Sequence, residues 1–462
     1  MKQRIGGFLL AAALLLGLLP ARALAAQFTD IEGHWAQQSI ERAVELGLFS
    51  GATETEFQPD KTMTRAMLVV VLAKMSGQQM PETVTTRFSD VSAGAWYAQA
   101  VTWAVDNGIV SGTSSTTFSP NRAVTREQAA VILVAYSNAA GYVLPRTRAC
   151  AGFSDDARCA DYALDAVYTI YRSGLVDGMP GGKFAPASAL TRAQGAVILC
   201  AYLDLYASGY TDEQKVVLVN HRGYSATAPE NTLPAYELSV QKGYTYVETD
   251  VQFTKDGEAV LLHDATINRT SNVEQVTGSS QKVYLSSSAL STVQQYDFGS
   301  WKSEAYAGTA IPTFREFIAL CAQNGLHPYI ELKSKGMTAQ EIEKLVNILS
   351  DYGMYYSVTW ISFYADNLKL VRAQCPTAEL MYVADKANQT SIQTAQKLEN
   401  GQNRVVLSAL YSNLTAAQRA ACLRAGLDYG IWTVNGTAAA VRQANTSAVF
   451  LTTDDVTAEM LY

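Results

Sequence analysis

Two histidines, an arginine, a lysine and three carboxylates stand at or near the ends of apolar runs in the C-terminal half of this chain. His221-Arg222-Gly223 follows the run 216–220 directly, and His263-Asp264 closes the run 259–263. Glu248 and Asp250 lie within 246–253, and at strand period two they point to one side. Glu331 and Lys333 share a side in the same way at the end of 328–333. Trp432-Thr433-Val434-Asn435 and Thr452-Thr453-Asp454 end two further runs. Buried parallel strands that finish in polar residues deliver them to the mouth of a barrel. Three carboxylates brought together there repel one another unless a cation binds. All-oxygen ligation suits Mg²⁺ or Ca²⁺ better than zinc. Arg222 and Lys333 add positive charge suited to a phosphate. His221 and His263 can then serve as acid and base. Trp432 reads either as a platform for a glycerol or sugar or as cover for the rim, and His34 and His327 read as structural.

The elements that must position these groups are legible around them. Pro229-Glu230-Asn231-Thr232 looks like a turn and helix start, with Asn231 or Thr232 as the cap and Gly243 closing the helix. Lys255-Asp256-Gly257 is a tight-turn signal between two strands. A four-residue loop at 254–257 would set Glu248 opposite His263. A two-residue Asp256-Gly257 turn would set Asp250 there. Either register predicts a carboxylate across from that histidine. Strand-like runs occupy 216–220, 246–253, 259–263, 328–333, 358–363, 380–384, 404–407, 429–434 and 449–453, with helical stretches such as 338–349 and 366–373 between them. The hairpin partner cannot be parallel to its neighbour, so eight strands remain. Alternating strands and helices over 216–462 predict a (β/α)₈ TIM-type barrel, whose usual length is about 250 residues.

The N-terminal half is built differently. Residues 1–26 read as a secretory signal, with Lys2 and Arg4, an apolar run and an Ala23-Leu24-Ala25 cleavage pattern. No later segment is apolar enough to span a bilayer, so the processed protein is expected to be exported without a membrane span. The net charge of -7 argues against a nucleic-acid partner. Cys150 and Cys159 are close enough in sequence to bridge outside the cell, while Cys200, Cys321, Cys375 and Cys422 read mostly as buried thiols.

Three features recur in one order. Phe28-Thr29-Asp30 returns as Phe88-Ser89-Asp90 and Phe153-Ser154-Asp155. Gly47 to Gly51 returns as Gly108 to Gly112 and Gly174 to Gly178. Thr64-Arg65 returns as Thr125-Arg126 and Thr191-Arg192. These mark repeats at 27–85, 86–148 and 149–206, followed by a small polar linker at 207–215. Each repeat reads as two helices, the second starting at the threonine cap, so an all-α bundle is expected.

The repeats resemble S-layer homology modules, whose signature motif contains the Thr-Arg pair. The resemblance implies binding of a secondary cell-wall polysaccharide, and hence a secreted protein attached at the cell surface. Arg65, Arg126 and Arg192 match the arginine of that motif, and an arginine beside free helix N-terminal amides is a sound carboxylate site. Repeat 3 departs from the pattern at Ala160-Asp161-Tyr162, which predicts a weaker groove.

The C-terminal stretch resembles the glycerophosphodiester phosphodiesterase family. The matching pieces are His221-Arg222-Gly223, Pro229-Glu230-Asn231-Thr232, Glu248-Thr249-Asp250-Val251, Thr254-Lys255-Asp256-Gly257, His263-Asp264, Arg269-Thr270, Glu331-Leu332-Lys333 and Trp432-Thr433-Val434-Asn435. The resemblance implies His221 and His263 as the acid/base pair and Glu248, Asp250 and Glu331 as ligands of one divalent metal. It implies Arg222 and Lys333 at the phosphodiester, and it makes 265–327 the family's inserted segment. The expected reaction is hydrolysis of glycerophosphodiesters to glycerol phosphate and an alcohol. The competing readings are a wall-attached binding protein with an inactive barrel and a phospholipase-D-like enzyme acting on lysolipids.

Overall fold

The computed structural model describes residues 28–401, 403 and 405–462. The signal segment expected at 1–26 lies outside the described residues, as does position 404 of one expected strand. The chain divides into two compact units, the first ending at Lys215 and also including Asn445–Ser447, the second made of Val216–Ala444 and Ala448–Tyr462.

The first unit holds six α-helices among the described residues, two in each repeat. They are α1 (Gln37–Glu45), α2 (Arg65–Ser76), α3 (Ala98–Asp106), α4 (Arg126–Ala140), α5 (Asp161–Arg172) and α6 (Arg192–Ser208). The second helix of each pair starts on a threonine cap: Thr64 accepts from the amide of Met67, Thr125 from Gln128 and Thr191 from Gln194. The glutamines reach back to complete capping boxes in repeats 2 and 3.

The recurring Phe-x-Asp triplet has a clear local purpose. Asp30 accepts hydrogen bonds from the amides of Phe57 and Gln58, Asp90 from those of Phe118 and Ser119, and Asp155 from those of Phe184 and Ala185. Each carboxylate thereby holds a turn whose second residue sits in the left-handed region, at φ 58, 59 and 58°. The recurring glycine is set by close approach. A Cβ on Gly51 or Gly112 would lie 2.5 Å from the ring of Phe28 or Phe88.

Short backbone bridges tie the repeats cyclically. Thr64 pairs with Ala123, Thr125 with Ala189 and Thr62 with Thr191. The first two positions of the 207–215 segment continue α6, and Asp212–Gln214 forms a single 3₁₀ turn. Among the described residues no cysteine is joined in a disulfide. The Cys150–Cys159 bridge is therefore not formed, and the Cys150 thiol instead bonds to the backbone of Gly152.

The second unit is the barrel. Its strands are β1 (Val217–Asn220), β2 (Tyr246–Phe253), β3 (Ala259–Leu261), β4 (His327–Leu332), β5 (Thr359–Ser362), β6 (Glu379–Ala384), β7 (Val405–Leu410), β8 (Tyr429–Trp432) and β9 (Phe450–Thr453). The order runs β1-β9-β8-β7-β6-β5-β4-β2-β3, and an added β1–β2 pairing closes the ring. Among the described residues eight strands are parallel, and only the β2–β3 strand pair is antiparallel. The helix Leu233–Gln241, α7, links β1 to β2 with a proline in its first turn.

The β2–β3 hairpin has neither of the two registers expected from the sequence. Phe253 pairs with Ala259, and the Thr254 amide bonds to the Glu258 carbonyl, leaving a three-residue loop. The reason is local. The Thr254 hydroxyl bonds to the Asp256 carboxylate and accepts from the Glu258 amide, and Gly257 takes φ 78°. This is the three-residue hairpin with a left-handed last position. Asp250 therefore meets Leu262, and no carboxylate of β2 stands opposite His263.

Candidate active site

β2 and β4 are in parallel register with Asp250 beside Glu331. Glu248 precedes Asp250 by one strand period, so all three carboxylates project to the same side. Their ligand oxygens lie within 4.8 Å of one another. Glu248 and Asp250 are buried, and Oε1 of Glu248 and Oδ1 of Asp250 have no hydrogen-bond partner among the described residues. Buried carboxylate oxygens that receive no hydrogen bond, or only the Lys333 ammonium at 3.4 Å, are what an oxygen-coordinated divalent cation would satisfy, so the residues present fit such an ion.

The charges around the triad are tightly matched. Lys333 Nζ lies 2.8 Å from Glu331 and 3.4 Å from Asp250. Arg222 lies 3.1 Å from Asp250 and 2.9 Å from Glu230. Burial, and then the charge of Asp250, push Glu331 up to about 7 and Glu248 well above the usual carboxylate range. Burial acts the same way on Asp250, but Arg222 and Lys333 outweigh it and hold that carboxyl low. With all three carboxylates ionised, as ligation of a cation requires, they exceed Arg222 and Lys333 by one negative charge. A divalent ion would turn the pocket net positive, the sign that receives a phosphodiester.

The turn after β1 is strained to bring Arg222 in. Arg222 and Asn231 both occupy the left-handed region, at φ 57 and 55°. For residues other than glycine this costs about 1–3 kcal/mol each and persists only where surroundings enforce it. Here the Arg222 amide donates to Glu248 Oε2 at 3.0 Å, and the Asn231 amide donates to the Arg222 carbonyl at 3.0 Å. Asn231 does not cap α7 as its position suggests. Its side-chain amide donates to Asp250 Oδ2 at 2.8 Å, while its Oδ1 accepts from the Asp250 amide and the Tyr236 hydroxyl.

Each catalytic candidate histidine is tied at Nδ1 to an aspartate. His221 Nδ1 is 2.7 Å from Asp454 Oδ1, and His263 Nδ1 is 2.7 Å from Asp264 Oδ1. Asp264 is gripped through both oxygens by Arg269, which also makes a two-point contact with Glu230. Arg269 first, with His263, holds Asp264 down to about 2. Burial lowers His263, with Arg222 and Lys333 adding to that effect against Asp250. The loop carrying His263 is fixed by Gln252, one more strand period beyond Asp250. Its side-chain amide reaches the carbonyls of Leu262 and Asp264 at 2.7 Å each.

His221, Arg222, Glu248, His263, Glu331, Lys333 and Trp432 line one cavity of about 100 Å³. Its other wall is apolar, from Ile361, Phe363, Met381 and Val383. Trp432 packs edge-on against Phe363, and its Nε1–H has no acceptor among the described residues. A shallower groove of about 340 Å³ shares His221 and Arg222 and runs out past Trp301 and Lys302 of the inserted segment. That segment has its own apolar centre of Ile267, Val273, Leu285, Val293 and Phe298. The remaining histidines stand apart: His327 bonds to Thr359 at the start of β4, and His34 faces Asp60.

The profile of the glycerophosphoryl diester phosphodiesterase family matches residues 221–458. The chain belongs to this family. The S-layer homology domain profile matches 27–66, 87–130 and 152–196, so the family barrel is preceded by three such repeats. A glycerophosphodiester phosphodiesterase of Caldanaerobacter subterraneus subsp. tengcongensis is 32% identical over 163 residues, which are 35% of this chain and 64% of that protein. An amylopullulanase of Thermoanaerobacterium thermosulfurigenes is 34% identical over 178 residues, 38% of this chain and 9% of that protein. The chain thus spans less than two thirds of either relative. Among solved structures, an Oleispira antarctica phosphodiesterase in complex with the product sn-glycerol-3-phosphate is 26% identical. The match covers 52% of this chain and 93% of that one at a TM-score of 0.46.

Within the phosphodiesterase barrel, sequence reasoning missed Asn231, Gln252, Arg269 and Asp454 as parts of the site. Each carried some signal: Asn231 and Arg269 stand in motifs of the family resemblance, Asp454 ends a strand-like run, and Gln252 continues the period of two after Glu248 and Asp250.

The S-layer repeats also correct an expectation. The helix starts beside Arg65, Arg126 and Arg192 are not free. The first two amides of each helix donate to carbonyls of a neighbouring repeat: Arg65 to Arg122 and Ala66 to Pro120, Arg126 to Ser188 and Glu127 to Pro186, Arg192 to Lys61 and Ala193 to Pro59. The guanidinium groups are buried and do the same. Arg65 donates to the Phe118 and Ser111 carbonyls, Arg126 to Phe184 and Asp177, and Arg192 to Phe57 and Ser50. Each repeat covers the helix start of another, which supplies the acceptors.

Arg65 and Arg192 still border open grooves, of about 640 and 540 Å³. The Arg192 groove adds Lys61, Lys74 and the exposed Trp96. The Arg65 groove carries Arg122 and Tyr162. The atypical tyrosine of repeat 3 thus faces the groove of repeat 2.

Proposed function

We propose that this protein is a secreted, wall-attached phosphodiesterase that hydrolyses glycerophosphodiesters to glycerol phosphate and an alcohol. One observation carries the reading. Both histidines are held at Nδ1 by aspartates and line the same small cavity as the acidic triad. Nδ1 occupied in this way leaves Nε2 as the proton-exchanging atom.

Glu248, Asp250 and Glu331 would hold one divalent cation, Mg²⁺ or Ca²⁺, which supplies Lewis-acid polarisation of a phosphoryl oxygen. Arg222 and Lys333 bind the anionic oxygens of the phosphodiester and orient it between the histidines. One histidine takes a proton from the nucleophile, and the other gives a proton to the leaving alcohol oxygen; water supplies the oxygen that ends on phosphorus, either by direct attack or by opening a cyclic phosphate formed by the neighbouring glycerol hydroxyl. Trp432 donates its free N–H to a glycerol hydroxyl or stacks beneath the glycerol. The apolar wall from Ile361 to Val383 lowers the polarity around the charged groups and so strengthens their hold on the phosphodiester.

The repeats bind an anionic polymer, a secondary cell-wall polysaccharide, through the grooves that pair an arginine with further cations and an exposed aromatic ring. Trp96 with Lys61 and Arg192 is the fullest of these sets.

The test is release of glycerol phosphate from glycerophosphodiesters by the purified full chain. Release should stop with a chelator and return with Mg²⁺ or Ca²⁺. Absence of release from every glycerophosphodiester offered to the metal-loaded protein would leave a binding protein instead.

A further inference from the structure

We propose that Asp454 is a positioning residue that acts on the reaction through His221, an inference that rests on the phosphodiesterase reading. The placement follows from barrel closure. β1 and β9 are parallel neighbours with Asn220 beside Thr453, so His221 and Asp454 are the next residues on each strand. The His221 amide donates to the Thr453 carbonyl at 2.8 Å, which fixes the backbone of the pair.

The carboxylate of Asp454 is caged on every side that matters. Oδ1 receives the His221 ring at 2.7 Å and the Ser225 hydroxyl at 3.0 Å. Oδ2 receives the side-chain amide of Asn435, whose own Oδ1 accepts the Asp454 amide at 2.9 Å. The single Ser225 hydroxyl proton is shared between Asp454 Oδ1 and the His221 carbonyl, also 3.0 Å away. With both oxygens engaged, the carboxylate presents one orientation to the imidazole. It accepts from Nδ1–H, so that proton stays in both charge states of the ring, and Nε2 is left toward the cavity. An aspartate behind a histidine of this kind selects tautomer and ring orientation without touching substrate.

This cage differs from the one around His263. Asp264 is compensated by the guanidinium of Arg269, whereas the side chains bonded to Asp454 besides His221 are the neutral Ser225 and Asn435. The two histidines are therefore supported by unlike partners, and loss of Asp454 should be felt at His221 alone.

The rival account is that Asp454 merely ties the end of β9 to the Asn435 loop. A double-mutant cycle in the full chain separates the two. Asp454→Ala should lower kcat roughly 10²-fold, the lower end of what general acid–base catalysis contributes, with KM nearly unchanged. In a His221→Ala background the same change should cost less than about twofold, because the residue it serves is gone. Equal losses in both backgrounds would overturn the proposal.

Asp454→Asn, of the same size, guards against misfolding, and its melting temperature should stay near that of the parent. The ¹⁵N resonances of the His221 ring supply a readout that needs no turnover. They should report the Nδ1–H tautomer in the parent and a mixture in Asp454→Asn. An unchanged tautomer would also overturn the proposal. A parent protein with no phosphodiesterase activity would sink the enzyme reading while leaving this spectroscopic test standing.

Discussion

Glu331 is where a proton and a metal ion compete for the same oxygen. With its carboxyl near 7 in the metal-free protein, about half of the molecules carry a proton there at neutral pH. Binding must displace that proton, so metal affinity should rise as pH increases through 6 to 8, with protons released on binding. Titration calorimetry in buffers of different ionisation heat measures both. Affinity that is flat over this range would mean that Glu331 is not a ligand. Glu331→Gln removes the charge and should weaken binding, with turnover partly recovered at excess metal. His263→Ala touches no ligand oxygen. It should bind metal nearly normally yet lose about 10²-fold or more in turnover. A nitrophenol leaving group, which needs no proton, should rescue whichever histidine is the acid. If excess metal instead restored His263→Ala fully, that histidine would be a ligand and its role here would be wrong.

At the scale of single elements, the turn between β1 and α7 does the most. It places His221, Arg222 and Asn231 within eleven positions by accepting two left-handed residues. Gly223 completes it. It lies at φ 79°, and a Cβ there would stand 2.7 Å from Cβ and 2.8 Å from the carbonyl carbon of Ala235. Neither atom can move without shifting α7. Gly223→Ala should therefore cost about 1–3 kcal/mol through strain and overpacking. For a domain of this size that lowers the melting temperature by about 2–4 °C per kcal/mol. Turnover should fall more than stability suggests, because the shift reaches His221 and Arg222. A variant with parent-like melting and rate would show that the turn has more room than the geometry allows.

Across the repeat unit, the three arginines act as staples. Removing one leaves the carbonyl of a buried phenylalanine (Phe118, Phe184 or Phe57) without its guanidinium donor, at about 1–3 kcal/mol. Arg65, Arg126 and Arg192 changed together to Ala should thus melt the repeats at lower temperature, and loss of wall binding in that variant would follow from unfolding. The recognition surface is better tested by Lys61→Ala with Trp96→Ala, since Trp96 is 65% exposed and supports no core. That pair should weaken pelleting with purified wall material while the melting curve by circular dichroism stays near the parent. Undiminished pelleting would move polymer recognition to another groove.

Much of this protein is written locally in its chain. The repeats, the order of strands and helices, the threonine caps and the polar residues at strand ends follow from periodicity and near-neighbour sterics, which act over a few residues. The carboxylates of β2 and β4 were legible for the same reason: a period of two dictates that Glu248 and Asp250 share a side, and Glu331 and Lys333 likewise. What the sequence did not contain is which group meets which. A hydroxyl at Thr254 set the hairpin register and left His263 to its chain neighbour Asp264. Closure of β1 on β9 brought Asp454 to His221 from 233 positions away. Asn231 was drawn from a helix cap to a buried carboxylate, and three arginines that look like free anion sites became donors to carbonyls of neighbouring repeats. Each of these pairings depends on strand register or on packing between distant segments. Only the folded chain, where burial makes every unpaired polar atom costly, selects one partner among several of the same chemistry.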